Sequence, residues 1–234
     1  MPINFITSFI PPIVSSGLVL YLNAGSTSSY PGSGSAWTDI SGVGNNATLY
    51  NSPTFSSSNG GYLSFNGSNQ YGVLSSPSTL PTGSQITLGL WAYGVTLKFS
   101  NIFNAIDSSN NRTINVHEPW SDGNVYWDCG NSGASFNRIY VNQNPAYLGW
   151  HYWVFTKNAS TGTMTMYRDN NVIQTGTSLT YTIQASTAAN IARDTNTATN
   201  YYQGYIAQVQ TYNRVLNSTE LTQNYDADKA KYGL

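Results

Sequence analysis

Hydrophobic and polar residues alternate with a period of two along much of the chain, and helical spacing is nearly absent. In the run Gln85–Tyr93, the even-numbered positions from Ile86 to Ala92 are all apolar. Because successive side chains of a strand point to opposite faces, this spacing predicts a strand with one core-facing side. Clusters of Gly, Asn, Ser and Pro separate such runs, which is typical of a sandwich or barrel. The predicted strands are Leu18–Leu22, Tyr62–Phe65, Gln85–Tyr93, Arg112–His117, Asn124–Asp128, His151–Thr156, Thr163–Arg168 and Asn190–Arg193.

Two local motifs predict a tight turn and one short helix. The segment 169–171 reads Asp-Asn-Asn and precedes the β-rich run 172–175. Asn and Asp tolerate positive φ, so we predict a hairpin turn there. Asn217 followed by Glu220 has the spacing of a capping box, and the helix that it starts is expected to end near Gly233. No linker divides the chain, so we predict one domain.

The first sixteen residues differ from the rest, because they are apolar and interrupted by two consecutive prolines, Pro11 and Pro12. Consecutive prolines favour an extended chain without backbone donors. This arm is expected either to fold over its own domain as an outer strand or to dock on a neighbouring subunit. It has no basic leader and resembles a secretory signal poorly. The proposed docking residues are Phe5, Ile6, Phe9, Ile10, Pro11, Pro12 and Ile13.

Composition narrows the function classes. Of the 234 residues only 8% are charged, and the formal net charge is −1. No net positive field would attract phosphate backbones, which disfavours nucleic acid as a partner. No apolar run reaches the ~20 residues needed to span a bilayer. The single cysteine, Cys129, excludes an intramolecular disulfide framework, and we expect it to be a small buried hydrophobe.

Aromatic residues near polar side chains make sugar recognition a testable hypothesis. A sugar needs a flat ring on which to stack and amide or charged groups that pair with its hydroxyls. Tyr126 and Trp127 are neighbours on a predicted strand, so one of them must point inward. Trp37, Trp91, Trp150 and Trp153 are expected in or near the core. The candidate glycan-binding residues are Arg112, Trp120, Asp122, Asn124, Asp194, Tyr201 and Tyr202.

Several segments, in order, resemble the concanavalin A-like family of laminin-G-type jelly rolls. Residues 63–71 are similar to the signature F-D-G-x-x-D-Y, and residues 150–154 to the W-H-x-V strand. The other similar segments are 17–22 with 37–42, 85–91, 166–170, 204–206, 212–216 and 220–221. The resemblance implies an all-β sandwich of two antiparallel sheets, with one short C-terminal helix, over residues 17–234.

The same resemblance raises calcium binding and glycoside hydrolysis as expectations to test. Calcium is the usual ion of this family, but Asn66 and Gln70 replace its acidic positions, which leaves Asp39 and Asp194 as weak candidate ligands. We therefore expect no cofactor, with calcium as the alternative. Hydrolases of this fold need two carboxylates across the sugar. The chain has only Glu118 and Glu220 as glutamates, and the latter is better explained as a helix cap. We predict a protein without catalytic activity.

A more local resemblance is to laminin-G-like modules of tailed-phage virion proteins. It rests on the loop 30–34, Tyr-Pro-Gly-Ser-Gly, and on residues 117–128. It implies a virion structural protein, a capsid decoration or fibre module held by the arm on a major capsid or other virion protein. We expect a homo-oligomer at the virion surface, with a host polysaccharide as a further partner. The alternative is a lectin-type adhesin module, extracellular or on a cell surface.

Overall fold

Strands dominate residues 12–234, the part of the chain that the computed structural model describes. In that part the strands are β1 (Leu18–Asn23), β2 (Ala36–Trp37), β3 (Ala47–Tyr50), β4 (Thr54–Ser56), β5 (Tyr62–Asn66), β6 (Tyr71–Leu74), β7 (Gln85–Gly94), β8 (Phe103–Ile106), β9 (Arg112–His117), β10 (Asn124–Ser132), β11 (Ser135–Asn142), β12 (Gly149–Asn158), β13 (Thr163–Arg168), β14 (Asn171–Gly176), β15 (Ala188–Ile191) and β16 (Gln203–Tyr212). The helix α1 spans Ser218–Asp228, and 3₁₀ turns lie at Ser58–Gly60, Pro77–Thr79 and Lys229–Tyr232. None of these helices has the length and apolar character needed to cross a bilayer.

The strands form two sheets whose pairings are all antiparallel. The first sheet has the order β14-β13-β12-β7-β16-β5-β4, with β1 also paired to β16. The second sheet has the order β11-β10-β9-β8-β15-β6-β3-β2. This arrangement confirms the predicted all-β sandwich of two antiparallel sheets with one short C-terminal helix.

The main core lies between the two sheets and contains large aromatic residues from both. Trp127 of the second sheet packs against Phe155 of the first, with ring centroids 5.5 Å apart. Trp127 is fully buried and Tyr126 is not, so the inward member of this pair is the tryptophan. Cys129 lies in the same core, as expected, and burial raises the pKa of its thiol. The four predicted core tryptophans, Trp37, Trp91, Trp150 and Trp153, are all buried.

A second apolar cluster covers the outer face of the first sheet. Trp91 projects from β7 away from the main core and stacks on Tyr232, with ring centroids 4.2 Å apart. Leu221 of α1 is buried in the same cluster. The capping box that starts α1 is present as predicted, with Asn217 and Glu220 each accepting a backbone amide of the other. The helix therefore closes this face of the sandwich.

The described end of the arm, residues 12–16, lies against α1 and β16. The amide of Val14 donates to Asn224 Oδ1 at 2.8 Å, and its carbonyl accepts from the Tyr212 hydroxyl at 3.0 Å. Gln223 Nε2 donates to the carbonyl of Pro12. The side chain of Val14 is buried, whereas Pro12 is exposed. Residues 1–11, which include Phe5, Ile6, Phe9, Ile10 and Pro11, lie outside the described residues.

Sequence patterns located several of the long strands and missed most of the short ones. Asp169 and Asn170 have φ of 51° and 64°, which confirms the predicted hairpin turn. The strand predicted at Asn190–Arg193 ends at Ile191 instead, because Ala192 has a φ of 65° and turns the chain away. The strands that the patterns did not predict are β2, β3, β4, β6, β8, β11 and β16, of which β16 was indicated only by the family resemblance at 204–206.

Candidate functional site

Polar and aromatic side chains cover the outer face of the second sheet. In β9, Ile114 and Val116 point into the core, so Asn115 and His117 point outward. The strand β10 has the same alternation, which places Tyr126 and Asp128 on the outer face beside them. The antiparallel register sets Arg138 of β11 opposite Asp128. Strand periodicity and sheet register thus assemble a polar site from three neighbouring strands.

Asp128 is the centre of this site and is shared by two arginines. Its carboxylate accepts from Arg138 Nε at 2.5 Å and Nη2 at 2.7 Å, and from Arg112 Nη1 at 3.0 Å. The Asp128 side chain is fully buried, while the side chains of Arg112 and Arg138 are 30% and 34% exposed. A buried carboxylate thus anchors two guanidinium groups that remain open to solvent.

A network of buried amides supports Asp128 from below. Asn115 Nδ2 donates to Asp128 Oδ2 at 3.0 Å and lies 3.0 Å from His117 Nε2. The other ring nitrogen, His117 Nδ1, lies 2.7 Å from the carbonyl of Ser100, so it must donate the hydrogen bond. Burial lowers the pKa of His117 to about 4. The imidazole is therefore neutral at physiological pH, and both of its nitrogens are already engaged.

Aromatic rings form the walls of a depression of about 190 Å³ above this network, lined by Arg112, His117, Trp120, Tyr126 and Arg138. Trp120 and Tyr126 are partly exposed. The Arg138 guanidinium lies over the Tyr126 ring, 4.7 Å from its centroid. Trp120 packs edge-on against His117, with ring centroids 4.3 Å apart. We call this depression the arginine–aromatic pocket.

A smaller depression of about 90 Å³ adjoins the pocket and shares Arg112 with it. Asp194, Asn196 and Thr197 of the loop after β15 line its other side. This loop is fixed to the sheet, because the backbone amide of Thr195 donates to Asn104 Oδ1 at 2.8 Å. The two depressions therefore lie side by side on one face, with a guanidinium between them.

The predicted glycan-binding residues divide into three groups. Arg112 and Trp120 line the pocket, and Asp122 and Asn124 lie at its rim, where the Tyr126 hydroxyl donates to Asp122 Oδ2 at 2.6 Å. Asp194 lines the neighbouring depression and is itself buried. The remaining two candidates are the tyrosines of the segment after that loop.

Tyr201 lies apart from the pocket. Tyr202 is buried, which corrects the prediction that it binds a glycan. Tyr201 is partly exposed and packs near Tyr71, with ring centroids 6.2 Å apart. Tyr202 is only 1% exposed, and its hydroxyl donates to Glu118 Oε2 at 3.1 Å inside the protein. An interior ring cannot stack on a sugar, so Tyr202 is a structural residue.

The predicted glycan-binding residues lack five members of the site, which are Asn115, His117, Tyr126, Asp128 and Arg138. Arg138 belongs to a strand that was not predicted, and its pairing with Asp128 depends on the register between β10 and β11. The alternation of polar and apolar residues in β9 was the one available signal, since it places Asn115 and His117 on one face.

The carboxylates nearest the pocket lie in three separate environments. Glu118 is fully buried with Tyr202, Asp122 is exposed at the rim, and Asp128 is paired with arginines. Burial raises the pKa of Glu118 to about 8, so this group is largely protonated at neutral pH. Two carboxyl groups facing each other across one cleft would be needed for glycoside hydrolysis. Glu118 lies inside the protein and both oxygens of Asp128 accept from arginines, so the three do not form such a pair.

The two weak calcium candidates do not fit a calcium ion. Asp39 accepts backbone amides on both oxygens, from Tyr21 and Ser41 on Oδ1 and from Gly44 and Asn45 on Oδ2. Asp194 Oδ1 accepts from the amide and hydroxyl of Thr197. Calcium requires several oxygens directed at one point. Within residues 12–234, no three His, Cys, Asp or Glu side chains lie close enough together to hold a metal ion.

Two larger depressions lie elsewhere and offer less specific chemistry. One of about 540 Å³ is lined by hydroxyl and amide groups with one ring, Tyr181, and the carboxylate of Asp107 there already accepts two backbone amides. Another of about 400 Å³ lies beside the loop 30–34, between Tyr30 and Phe55. Neither contains an arginine. The arginine–aromatic pocket therefore carries the strongest recognition chemistry among the described residues.

Solved structures with a similar fold include binding domains of clostridial proteins. The receptor-binding domain of the botulinum neurotoxin C/D mosaic serotype matches with a TM-score of 0.69 and 13% identity, over 91% of this chain and 52% of that one. The binding domain of Paraclostridial Mosquitocidal Protein 1 matches with a TM-score of 0.69 and 15% identity, over 89% and 52%. The chain thus spans about half the length of these domains.

A third similar structure is the botulinum neurotoxin serotype D ligand-binding domain in complex with N-acetylneuraminic acid. It has a TM-score of 0.69 and 12% identity, over 91% of this chain and 51% of that one. At such identities the likeness concerns the fold alone. A search of curated proteins finds no match to this sequence.

The amino-acid sequence, independently of the fold, matches a known protein family. The laminin G family described as the concanavalin A-like lectin/glucanases superfamily matches residues 66–222, which is more than half of the chain. These residues include the arginine–aromatic pocket and the loop beside it. The chain therefore belongs to the concanavalin A-like lectin/glucanases superfamily.

Proposed function

We propose that this protein is a carbohydrate-binding, lectin-like module whose site is the arginine–aromatic pocket. The observation that carries the proposal is the combination of partly exposed rings, Trp120 and Tyr126, with guanidinium donors held in place by Asp128. Aromatic rings offer large, rigid contact areas, and a few fixed polar groups orient a ligand. The volume of about 190 Å³ suits one sugar ring.

Comparison with solved structures supports a binding role at the level of the fold. The similar clostridial domains are described as receptor-binding or ligand-binding, and one contains N-acetylneuraminic acid. Function depends on the site and not on the fold, so these matches do not identify the ligand of this chain. They agree with a module that recognises a saccharide and does not cleave it.

The absence of catalysis is part of the proposal and is supported by the site chemistry. A general base needs a free lone pair and a pKa near the pH at which it works. The Nε2 atom of His117 is hydrogen-bonded to Asn115, and its pKa of about 4 makes it a weak base. Glu118, whose pKa is raised by burial, lies inside the protein.

A glycan array with the wild type and Trp120→Ala tests this function. Loss of one stacking ring removes about 1.4 kcal/mol of binding free energy, which is a tenfold loss of affinity. Tyr181→Ala is the matched control, because this ring is 38% exposed in a different depression. Equal binding by the wild type and Trp120→Ala would exclude the pocket, and no saccharide bound at millimolar concentration would exclude the function.

A second candidate function is a virion structural module, for capsid decoration or as part of a fibre. It is supported by the apolar residues of 1–11 in a chain with few charges, and by the contacts that hold the following residues, 12–16, on α1. An apolar extended segment can add to the surface of an underlying shell protein.

Binding of the purified protein to undecorated particles tests the virion role. The matched pair is the full chain and a variant that lacks residues 1–11, since removal of 12–16 would also remove contacts of the folded domain. We expect only the full chain to bind. Equal binding by both proteins would contradict an anchoring role for the segment.

A further inference from the structure

The arginine–aromatic pocket contains more positive than negative charge. Its five lining residues include Arg112 and Arg138, and none of the five is acidic. The single carboxylate beneath them, Asp128, can balance only one of the two guanidinium charges. The nearest rim carboxylate, Asp122, accepts hydrogen bonds from Tyr126 and Asn124. The charge of Asp122 acts on Arg138 from the rim, but within residues 12–234 the ion pairs of both arginines go to Asp128 alone. In this part of the chain, one of the two guanidinium groups therefore lacks a carboxylate partner of its own in direct contact.

Several guanidinium donors remain free for a ligand. Arg138 uses Nε and Nη2 on Asp128, and Arg112 uses only Nη1. Among the described residues, Arg138 Nη1 and Arg112 Nε and Nη2 have no acceptor in hydrogen-bond distance. Both side chains are about one third exposed, so these donors can be reached from solvent.

The orientation of both guanidinium groups is fixed before a ligand arrives. Asp128 holds them from one side, and rings support them from another, with Arg138 5.0 Å and Arg112 5.3 Å from the centroid of Phe136. Because the arginine side chains are already ordered, little further entropy is lost on binding. Planar guanidinium groups pair with carboxylates through two parallel hydrogen bonds.

We propose that the ligand is an acidic saccharide, whose carboxylate binds between Arg112 and Arg138 while its ring contacts Trp120. This inference rests on the proposed carbohydrate-binding function and names the class of sugar. The neighbouring depression shares Arg112 and is lined by Asn196 and Thr197, amide and hydroxyl groups that suit the next, neutral sugar of a chain. The pocket thus selects a uronic or sialic acid at one position.

Binding of matched acidic and neutral oligosaccharides tests the proposal. The pairs are cellobiouronic acid with cellobiose, digalacturonic acid with galactobiose, and sialyllactose with lactose. We expect at least one acid to bind ten times or more tightly than its neutral partner, with an affinity that falls as salt is raised. Isothermal titration calorimetry measures both quantities.

Variants of Arg112 connect that preference to the pocket. Arg112→Gln is expected to abolish the preference for the acid, whereas Arg112→Lys, which keeps the charge without the planar fork, retains part of it. Arg138 still holds Asp128 in both variants. Lys229→Gln removes one positive charge from the opposite side of the molecule and is the matched control. Thermal unfolding of each variant establishes that it is folded.

The outcomes separate this inference from the proposed function. If no acid is preferred and Trp120→Ala still weakens binding, the pocket binds neutral sugars and the acidic assignment is wrong. A preference for sulfated saccharides without one for carboxylated saccharides also overturns it. If no saccharide of either kind binds, the carbohydrate-binding function itself fails.

Discussion

At the scale of single residues, the buried carboxyl groups of Asp128 and Glu118 differ in the charged groups that surround them. Asp128 is paired with two arginines, whereas Glu118 has only the Tyr202 hydroxyl on Oε2 and no partner on Oε1 among the described residues. A buried carboxyl group without a cation favours its neutral form. Glu118 therefore makes the stability of the protein depend on pH.

Stability is expected to fall as the pH rises from about 4.5 to about 8 because of Glu118. Its pKa is about 8 in the folded protein, against 4.5 as the ordinary value, so the unfolded chain loses this proton first. Stabilisation is complete below the lower value and is lost at up to about 1.4 kcal/mol per pH unit in between. Urea unfolding of the wild type and Glu118→Gln between pH 4 and 9 measures the free energy of unfolding at each pH. The fall of this free energy with rising pH should be smaller for the variant.

Asp226→Asn is the control for that measurement, because Asp226 is an exposed carboxylate on α1. Its pH profile should follow that of the wild type. A Glu118→Gln profile with the same slope as the wild type would show that Glu118 ionises normally in the folded protein.

Residue environments could be predicted where strand periodicity alone decides them. The inward position of Trp127 follows from alternation once one member of the pair must be buried. The sharing of Asp128 by Arg112 and Arg138 does not, because these residues are brought together only by the register of β9, β10 and β11. The burial of Tyr202 also depends on distant packing against Glu118.

At the scale of elements, local sequence signals were sufficient where the stabilising partners are near in sequence. The capping box of α1 involves residues three positions apart, and the turn at 169–170 is set by residues that tolerate positive φ. The four-residue strand β8 is defined in part by its pairing with the distant β15, so its own sequence carries little information. The strand β11 is different, because it pairs with β10 across a short turn at 133–134, a local signal that the prediction did not use.

Removing the helix cap should destabilise the whole domain, because α1 covers the cluster around Trp91. Asn217→Ala removes the side-chain acceptor of the Glu220 amide and should lower the free energy of unfolding by about 1 kcal/mol. Ser218→Ala, one position further, keeps the cap and should change little. Chemical denaturation measures the free energy of unfolding of both variants. An equal decrease in the two would show that the side-chain cap does not stabilise the domain.

At the scale of the whole molecule, the two outer faces of the sandwich differ in what covers them. The outer face of the first sheet is covered by α1, the turn at Lys229–Tyr232 and residues 12–16. The outer face of the second sheet carries the arginine–aromatic pocket and the depression beside it. The fold thus leaves one of its two broad faces available to ligands.

Truncation at two points should separate the structural part of the arm from the rest. Removal of residues 1–16 deletes the buried side chain of Val14 and its two hydrogen bonds, and should lower stability by about 3 kcal/mol. Removal of residues 1–11 keeps these contacts, so the difference between the two truncated proteins measures the contribution of 12–16. Thermal unfolding of the two truncated proteins distinguishes them, and equal midpoints would contradict a stabilising role for 12–16.

Both described ends of the chain lie on the side that α1 covers. Val14 contacts the helix, and the amide of Leu234 donates to the carbonyl of Lys229 just beyond it. A bead, a chip or a fusion partner joined after Leu234 would therefore lie on the face opposite the pocket. Copies displayed in this way on one particle would all face outward, so weak contacts with a repetitive surface could add up to firm adhesion.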